Sequence, residues 1–117
     1  TLTPWGCYGQ NVAGADGTSI GDGEQNTQDL YNDPCLAYND AADICWLLQL
    51  GGYSDWYLPS KDELNEMFLS GIINSQQSYW SSSEASINYA WRIDFASGLI
   101  ADTDKGNLYQ VRAIRDF

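Results

Sequence analysis

The chain has 117 residues, with sixteen Asp and Glu against five Lys and Arg, a formal net charge of −11, and no His. That length suits one domain with one real core, and a negative field of this size argues against binding a phosphate backbone. Without His, Ser–His and Cys–His catalysis and the usual zinc sites are excluded, and no apolar run approaches the roughly 20 residues of a membrane helix.

Residues 1–34 read as mostly irregular, anchored by Trp5 and Tyr8 near an edge strand. Residues 13–23 are rich in turn formers. A short helical turn is expected near Asn26 and Thr27, carrying Leu30 and Tyr31. Residues 40–50 have a helical period: Ala41, Ile44, Cys45 and Leu48 fall at i, i+3, i+4 and i+7 on one face. Asn39 or Asp40 caps that helix, and Gly51-Gly52 ends it, since Gly tolerates the left-handed conformation.

Trp56, Leu58 and Pro59 are expected to lock the chain ahead of a second helix. Ser60 and Glu63 form a capping box: the Ser60 hydroxyl accepts from the Glu63 amide while Glu63 reaches back. Asp62 and Glu63 also suit the positive end of the helix dipole, so these paired acids need no catalytic role. Leu64, Met67 and Phe68 supply the buried face, and Gly71 marks the end. The period then changes to that of strands. Residues 78–82 form one, residues 89–95 a second with Trp91, Ile93 and Phe95 on one side, and residues 99–101 a short third. Residues 102–107 read as a polar loop and residues 108–115 as the last strand. Trp80, Trp91 and Phe95 are assigned to the core, and Ser81, Ser82 and Ser83 to satisfying nearby backbone groups. Helices first and strands after predict an α+β fold, here a single domain spanning residues 1–117.

Three Cys are present, Cys7, Cys35 and Cys45. An odd count leaves one thiol over. Cys35 with Cys45 closes a short loop and is the expected pair; Cys7–Cys35 and Cys7 with Cys45 remain open. The Cys content, many Tyr, Trp, Asn and Ser and few Lys suggest an exported protein, and residues 1–5 do not read as a signal peptide.

Several motifs occur in one order: Trp5-Gly6-Cys7-Tyr8-Gly9, then Gly51-Gly52-Tyr53-Ser54-Asp55-Trp56-Tyr57-Leu58-Pro59-Ser60 running into Lys61-Asp62-Glu63-Leu64. Tyr79-Trp80-Ser81-Ser82-Ser83-Glu84, Ala90-Trp91-Arg92-Ile93-Asp94-Phe95 and Val111-Arg112-Ala113-Ile114-Arg115 follow. In these the chain resembles the C-terminal domain family of bacterial collagen-like adhesins, and the likeness covers nearly the whole chain. The resemblance implies a C-type-lectin-like fold of two helices, short antiparallel strands and long irregular loops. It implies a distant relation to formylglycine-generating enzymes and to retroelement variable proteins. In the adhesin that names the family the domain forms a trimer and binds sulfated glycans.

The expectation is therefore a non-catalytic extracellular adhesion module. Its partner would be a surface glycan or a host protein, with a homotrimer as the implied assembly. Loops on a rigid scaffold carry such sites. Tyr89 is placed to stack on a sugar or fill a pocket. Arg92, Lys105 and Arg112 are the bases available to an anionic ligand, and Asn107 lies beside Lys105 in the polar loop. No cofactor is expected. The alternatives are a calcium-dependent lectin using Asp102, Asp104 and Asn107, or Asp16, Asp22 and Glu24, and a structural scaffold for trimerisation or variable display. Neither acidic run fits the EF-hand pattern.

Overall fold

Three helices precede three strands along the chain: α1 (Gly23–Asn32), α2 (Ala41–Trp46), α3 (Lys61–Ser70), β1 (Ser78–Glu84), β2 (Tyr89–Asp94) and β3 (Leu99–Asp104). The structure, a computed structural model, describes residues 2–12, 14–33, 35, 40–71 and 75–115. The strands form one antiparallel sheet in the order β1-β2-β3. The α+β class holds, with three helices among the described residues where the sequence suggests two.

The extra helix is α1, a full ten-residue helix in place of an isolated turn. Leu30 is its one large buried apolar side chain; the rest of its buried face is Gly23, Asn26 and Thr27. Polar contacts seat it. Thr27 Oγ1 accepts from the Leu58 amide at 3.0 Å and lies 2.7 Å from the Gly23 carbonyl. Asn26 Nδ2 donates to the Gly17 carbonyl at 2.6 Å. Gly23 is required by close approach: a Cβ there would collide with Glu63 Oε1 and come within 2.9 Å of the Ser60 amide.

In α2, Asp40 stands at the N-cap; Asn39, the other expected cap, lies outside the described residues. The helix stops at Trp46, ahead of the Gly pair. In α3 the capping box forms as the sequence dictates, with Ser60 N–H donating to Glu63 Oε1 at 2.8 Å and Glu63 N–H to Ser60 Oγ at 3.4 Å. Glu63 Oε2 also accepts from the Gly21 amide at 3.1 Å, so the same carboxylate fixes the chain leading into α1.

The sheet divides the interior. Trp80 and Ala90 face one cluster with Trp5, Cys7, Val12, Leu30, Cys45 and Leu58. Ile93 and Phe95 face the other, with Leu64 and Met67 of α3, and Tyr79, Phe68 and Ile100 pack against it. The pleat accounts for this, since Tyr79 and Trp80 are neighbours on β1 and point to opposite faces. Trp91 is not in the core; it is half-buried, with Lys61 Nζ 4.2 Å from its ring centroid.

The register of β1 against β2 shifts between Trp80 and Glu84. Ser81, Ser82 and Ser83 fill that stretch, fully buried. They supply the hydrogen bonds an irregular ladder lacks: Ser81 Oγ donates to the Trp91 carbonyl at 2.8 Å, and Ser83 Oγ donates to the Gly17 carbonyl at 2.7 Å. Residues 108–115 form no continuous strand. They make isolated bridges, from Tyr109 to Thr3, Gln110 to Tyr79 and Ile114 to Tyr57. The segment changes partner too often to lie along any one of them.

The disulfide joins Cys7 to Cys35, not Cys35 to Cys45. Cys45 is free and buried on α2, and burial pushes its thiol up to about 12. Cys7 holds a left-handed backbone with φ 55°, an unfavourable conformation for a side-chain-bearing residue that the bridge helps to pin. Without reductant, a thiol-specific dye should find no reactive thiol in the folded protein and one per chain in denaturant. Replacing Cys7 and Cys35 together by Ser should cost about 3 kcal/mol in chemical denaturation, while Cys45→Ala leaves the bridge intact by mass.

Candidate functional site

The five residues assigned to ligand binding differ in exposure. Tyr89 opens β2 and is 45% exposed. Asn107, in the turn after β3, and Arg112, on the C-terminal segment, are both exposed. Arg92 is half-buried in a cradle: Nε donates to Thr103 Oγ1 at 2.8 Å, Nη1 to Ser78 Oγ at 3.1 Å, and Cζ lies 5.0 Å from the Tyr109 ring centroid. No hydrogen bond or ring contact links Tyr89, Asn107 and Arg112 among the described residues.

Lys105 is not a surface cation. It has no solvent exposure. Its ammonium donates to Glu84 Oε2 at 2.7 Å and to the Gln10 carbonyl at 2.9 Å, with the Cys7 carbonyl at 3.5 Å and the Trp5 ring centroid at 4.9 Å. Glu84 Oε2 also accepts from the Val12 amide at 2.9 Å. A buried ammonium needs such a set of acceptors, and its three donors are spent on it. Residues 102–104 are likewise not loop but the end of β3. Breaking the pair by Lys105→Ala should destabilise the fold by about 3–5 kcal/mol, read by urea denaturation. The double change Lys105→Met with Glu84→Leu should recover a large part of that loss.

The acidic runs are partly engaged with their own backbone. Asp104 Oδ1 accepts from the Gly106 amide at 2.8 Å, and Asp22 Oδ2 from the Ser19 amide at 3.0 Å. Among the described residues, the His, Cys, Asp and Glu ligand atoms that converge are those of Cys7, Asp33 and Cys35. Both sulfurs there are bonded to each other, so they offer no thiolate.

A family model described as Lcl C-terminal domain matches residues 22–115. The chain belongs to that family. The match spans all three helices and the whole sheet of this Lcl C-terminal domain; the Cys7 half of the disulfide lies ahead of it. No curated protein matches the sequence.

An exposed corner of this Lcl C-terminal domain was not singled out from the sequence as a site. Leu50 and Tyr53 exchange backbone hydrogen bonds at 3.0 and 3.1 Å across Gly51 and Gly52, whose φ values are 64° and 83°. Left-handed φ at both central positions makes this a tight two-residue hairpin that favours Gly. Trp56 Nε1 donates to the Tyr53 carbonyl at 3.1 Å and braces it. Arg115 then closes over the corner. Its Nε and Nη2 donate to Asp55 Oδ1 and Oδ2 at 2.8 and 3.0 Å, and its Cζ lies 3.6 Å from the Tyr53 ring centroid. The signal for it was in the sequence, two Gly flanked by Leu50 and Tyr53, but the partner Arg115 is 60 residues from Asp55.

The Arg115 guanidinium holds the Asp55 carboxyl below its usual value. The ion pair therefore stabilises the corner above the unfolded-state carboxyl value and is lost as pH falls through the lowered one. A carboxyl NMR titration should place the Asp55 midpoint below that of a free Asp, and Arg115→Gln should raise it.

Proposed function

We propose that this Lcl C-terminal domain is a non-catalytic, extracellular recognition module of a larger surface protein, that its fold is C-type-lectin-like, and that its ligand is a surface glycan, with a host protein as the other partner class. The observation that carries the reading is where polar chemistry resides. Among the described residues every buried side-chain nitrogen and oxygen has a hydrogen-bond partner. Interior polar groups such as Lys105, Glu84 and the three serines are thus committed to the frame, and a ligand meets the surface: Tyr89, Asn107, Arg112 and the outer part of Arg92. Exposed side chains on a frame this firmly cross-linked suit binding with little ordering cost.

Family membership supports the surface-protein context. The chain's charge shapes the expected ligand range. Arg112 is the exposed base, and a sulfated glycan bound by one base against a net charge of −11 binds weakly as a monomer. A homotrimer would repeat Arg112 three times and gain by avidity. A glycan array probed with pre-assembled trimer should show binding that survives EDTA. Arg112→Glu should lower retention on sulfated glycans by about tenfold or more. No retention on any glycan or host surface would sink the proposal.

A further inference from the structure

From the Leu50–Tyr53 hairpin corner we infer a site for a neutral pyranose unit, distinct from Tyr89, Asn107 and Arg112. The inference rests on the recognition reading above and names a place and a ligand class for it. A shallow cleft is lined by Gln49, Leu50, Gly51, Gly52, Tyr53 and Ser54. Tyr53 is 50% exposed although Arg115 lies over its ring. Leu50, 60% exposed, extends the apolar surface. The space beside the two glycines is open: a Cβ at Gly51 would stand 3.9 Å from Tyr53 Cδ2, and one at Gly52 would meet nothing within 4 Å.

This is the surface a pyranose requires. The ring C–H face of a sugar is apolar and packs on an aromatic or aliphatic side chain, while its hydroxyls need donors and acceptors around the rim. Gln49 and Ser54 are exposed beside Tyr53 and supply an amide and a hydroxyl. The Asp55 side chain is 52% exposed, so its oxygens can accept from hydroxyls while they hold Arg115. The Arg115 contact also stiffens Tyr53, so the ring is placed before the ligand arrives.

Charge decides for a neutral sugar over a sulfated one. The corner's cation, Arg115, is neutralised in two-point contact with Asp55. A sulfate would have to displace that carboxylate, in a molecule of net charge −11. A neutral pyranose leaves the pair in place and hydrogen-bonds around it.

The test is NMR titration of the ¹⁵N-labelled domain with methyl glycosides of glucose, galactose, mannose and N-acetylglucosamine. A sulfated heparin disaccharide serves as the charged contrast. At least one neutral glycoside should shift the Gly51, Gly52 and Trp56 indole N–H signals with a millimolar Kd, as for a single small site. Tyr53→Ala should weaken it about tenfold or more. Tyr53→Phe, which keeps the stacking face, should stay within about threefold. A thermal melt of each variant guards against misfolding. If only the sulfated disaccharide binds, and Arg112→Glu abolishes it, the corner site is wrong and the recognition proposal stands. If neutral glycosides bind but Tyr53→Ala has no effect, the site is also wrong. If no saccharide of either kind binds, the corner site falls, and the trimer glycan array decides the glycan reading.

Discussion

The buried pair of Lys105 and Glu84 is the constraint on which the described fold depends. Three stretches of chain meet there: the N-terminal segment through the Gln10 and Cys7 carbonyls and the Val12 amide, the end of β1 through Glu84, and the turn after β3 through Lys105. The N-terminal segment has little regular structure, so its backbone groups need partners from elsewhere. The ammonium and the carboxylate supply them at one point. Neighbouring bonds reinforce it: Trp5 N–H donates to the Lys105 carbonyl at 3.0 Å, and Lys105 N–H to the Asn88 carbonyl at 3.0 Å. Desolvating both charges costs several kcal/mol before any attraction is counted. The pair is therefore a device for fixing one arrangement of three segments more than a source of net stability.

With that point fixed, the sheet acts as a partition. β1 and β2 contribute side chains to two clusters, one closed by α1, α2 and the N-terminal segment, the other by α3, and β3 adds Ile100 to the second. The indoles tie the first side shut. Trp5 Nε1 donates to the Ser81 carbonyl at 2.8 Å and Trp80 Nε1 to the Thr3 carbonyl at 2.9 Å. Both span more than 70 residues of sequence, so they sew the first and last thirds of the chain together independently of the bridges of the C-terminal segment.

What could be read from the sequence was what is encoded locally. The α3 capping box and the Gly71 end depend on residues a few positions apart, and they form as expected. Ser81 and Ser83 take the backbone-satisfying part assigned to them, while the Ser82 hydroxyl accepts from the Asn26 side chain. The errors share a cause, a partner distant in sequence. α1 was shortened to a turn because its buried face is polar, and Asn26 and Thr27 count as buried only once Gly17 and Leu58 are beside them. Lys105, between Asp104 and Gly106, has the local composition of an exposed turn; Glu84 is 21 residues away. For the cysteines the short loop was misleading, although the helical period that set Cys45 beside Ala41 already pointed it at the core. Of the residues assigned to a site, Tyr89, Asn107 and Arg112 are on the surface, Arg92 is half in it and Lys105 is out of it.

The five bases carry the last step. Lys105 is sealed against Glu84, Arg115 lies across Tyr53 and Asp55, Lys61 sits over Trp91, and Arg92 is cradled by Thr103, Ser78 and Tyr109. Four of the five are thus spent on holding parts of the molecule together, three of them against aromatic rings at the surface or its edge, where a cation and a ring stabilise each other by about 0.5–1 kcal/mol. An acidic chain that uses its few cations as fasteners keeps little positive charge for an anion. Under the proposed recognition role, one copy would bind through exposed aromatic rings and neutral polar groups, and anion binding would require several copies of Arg112 brought to one face.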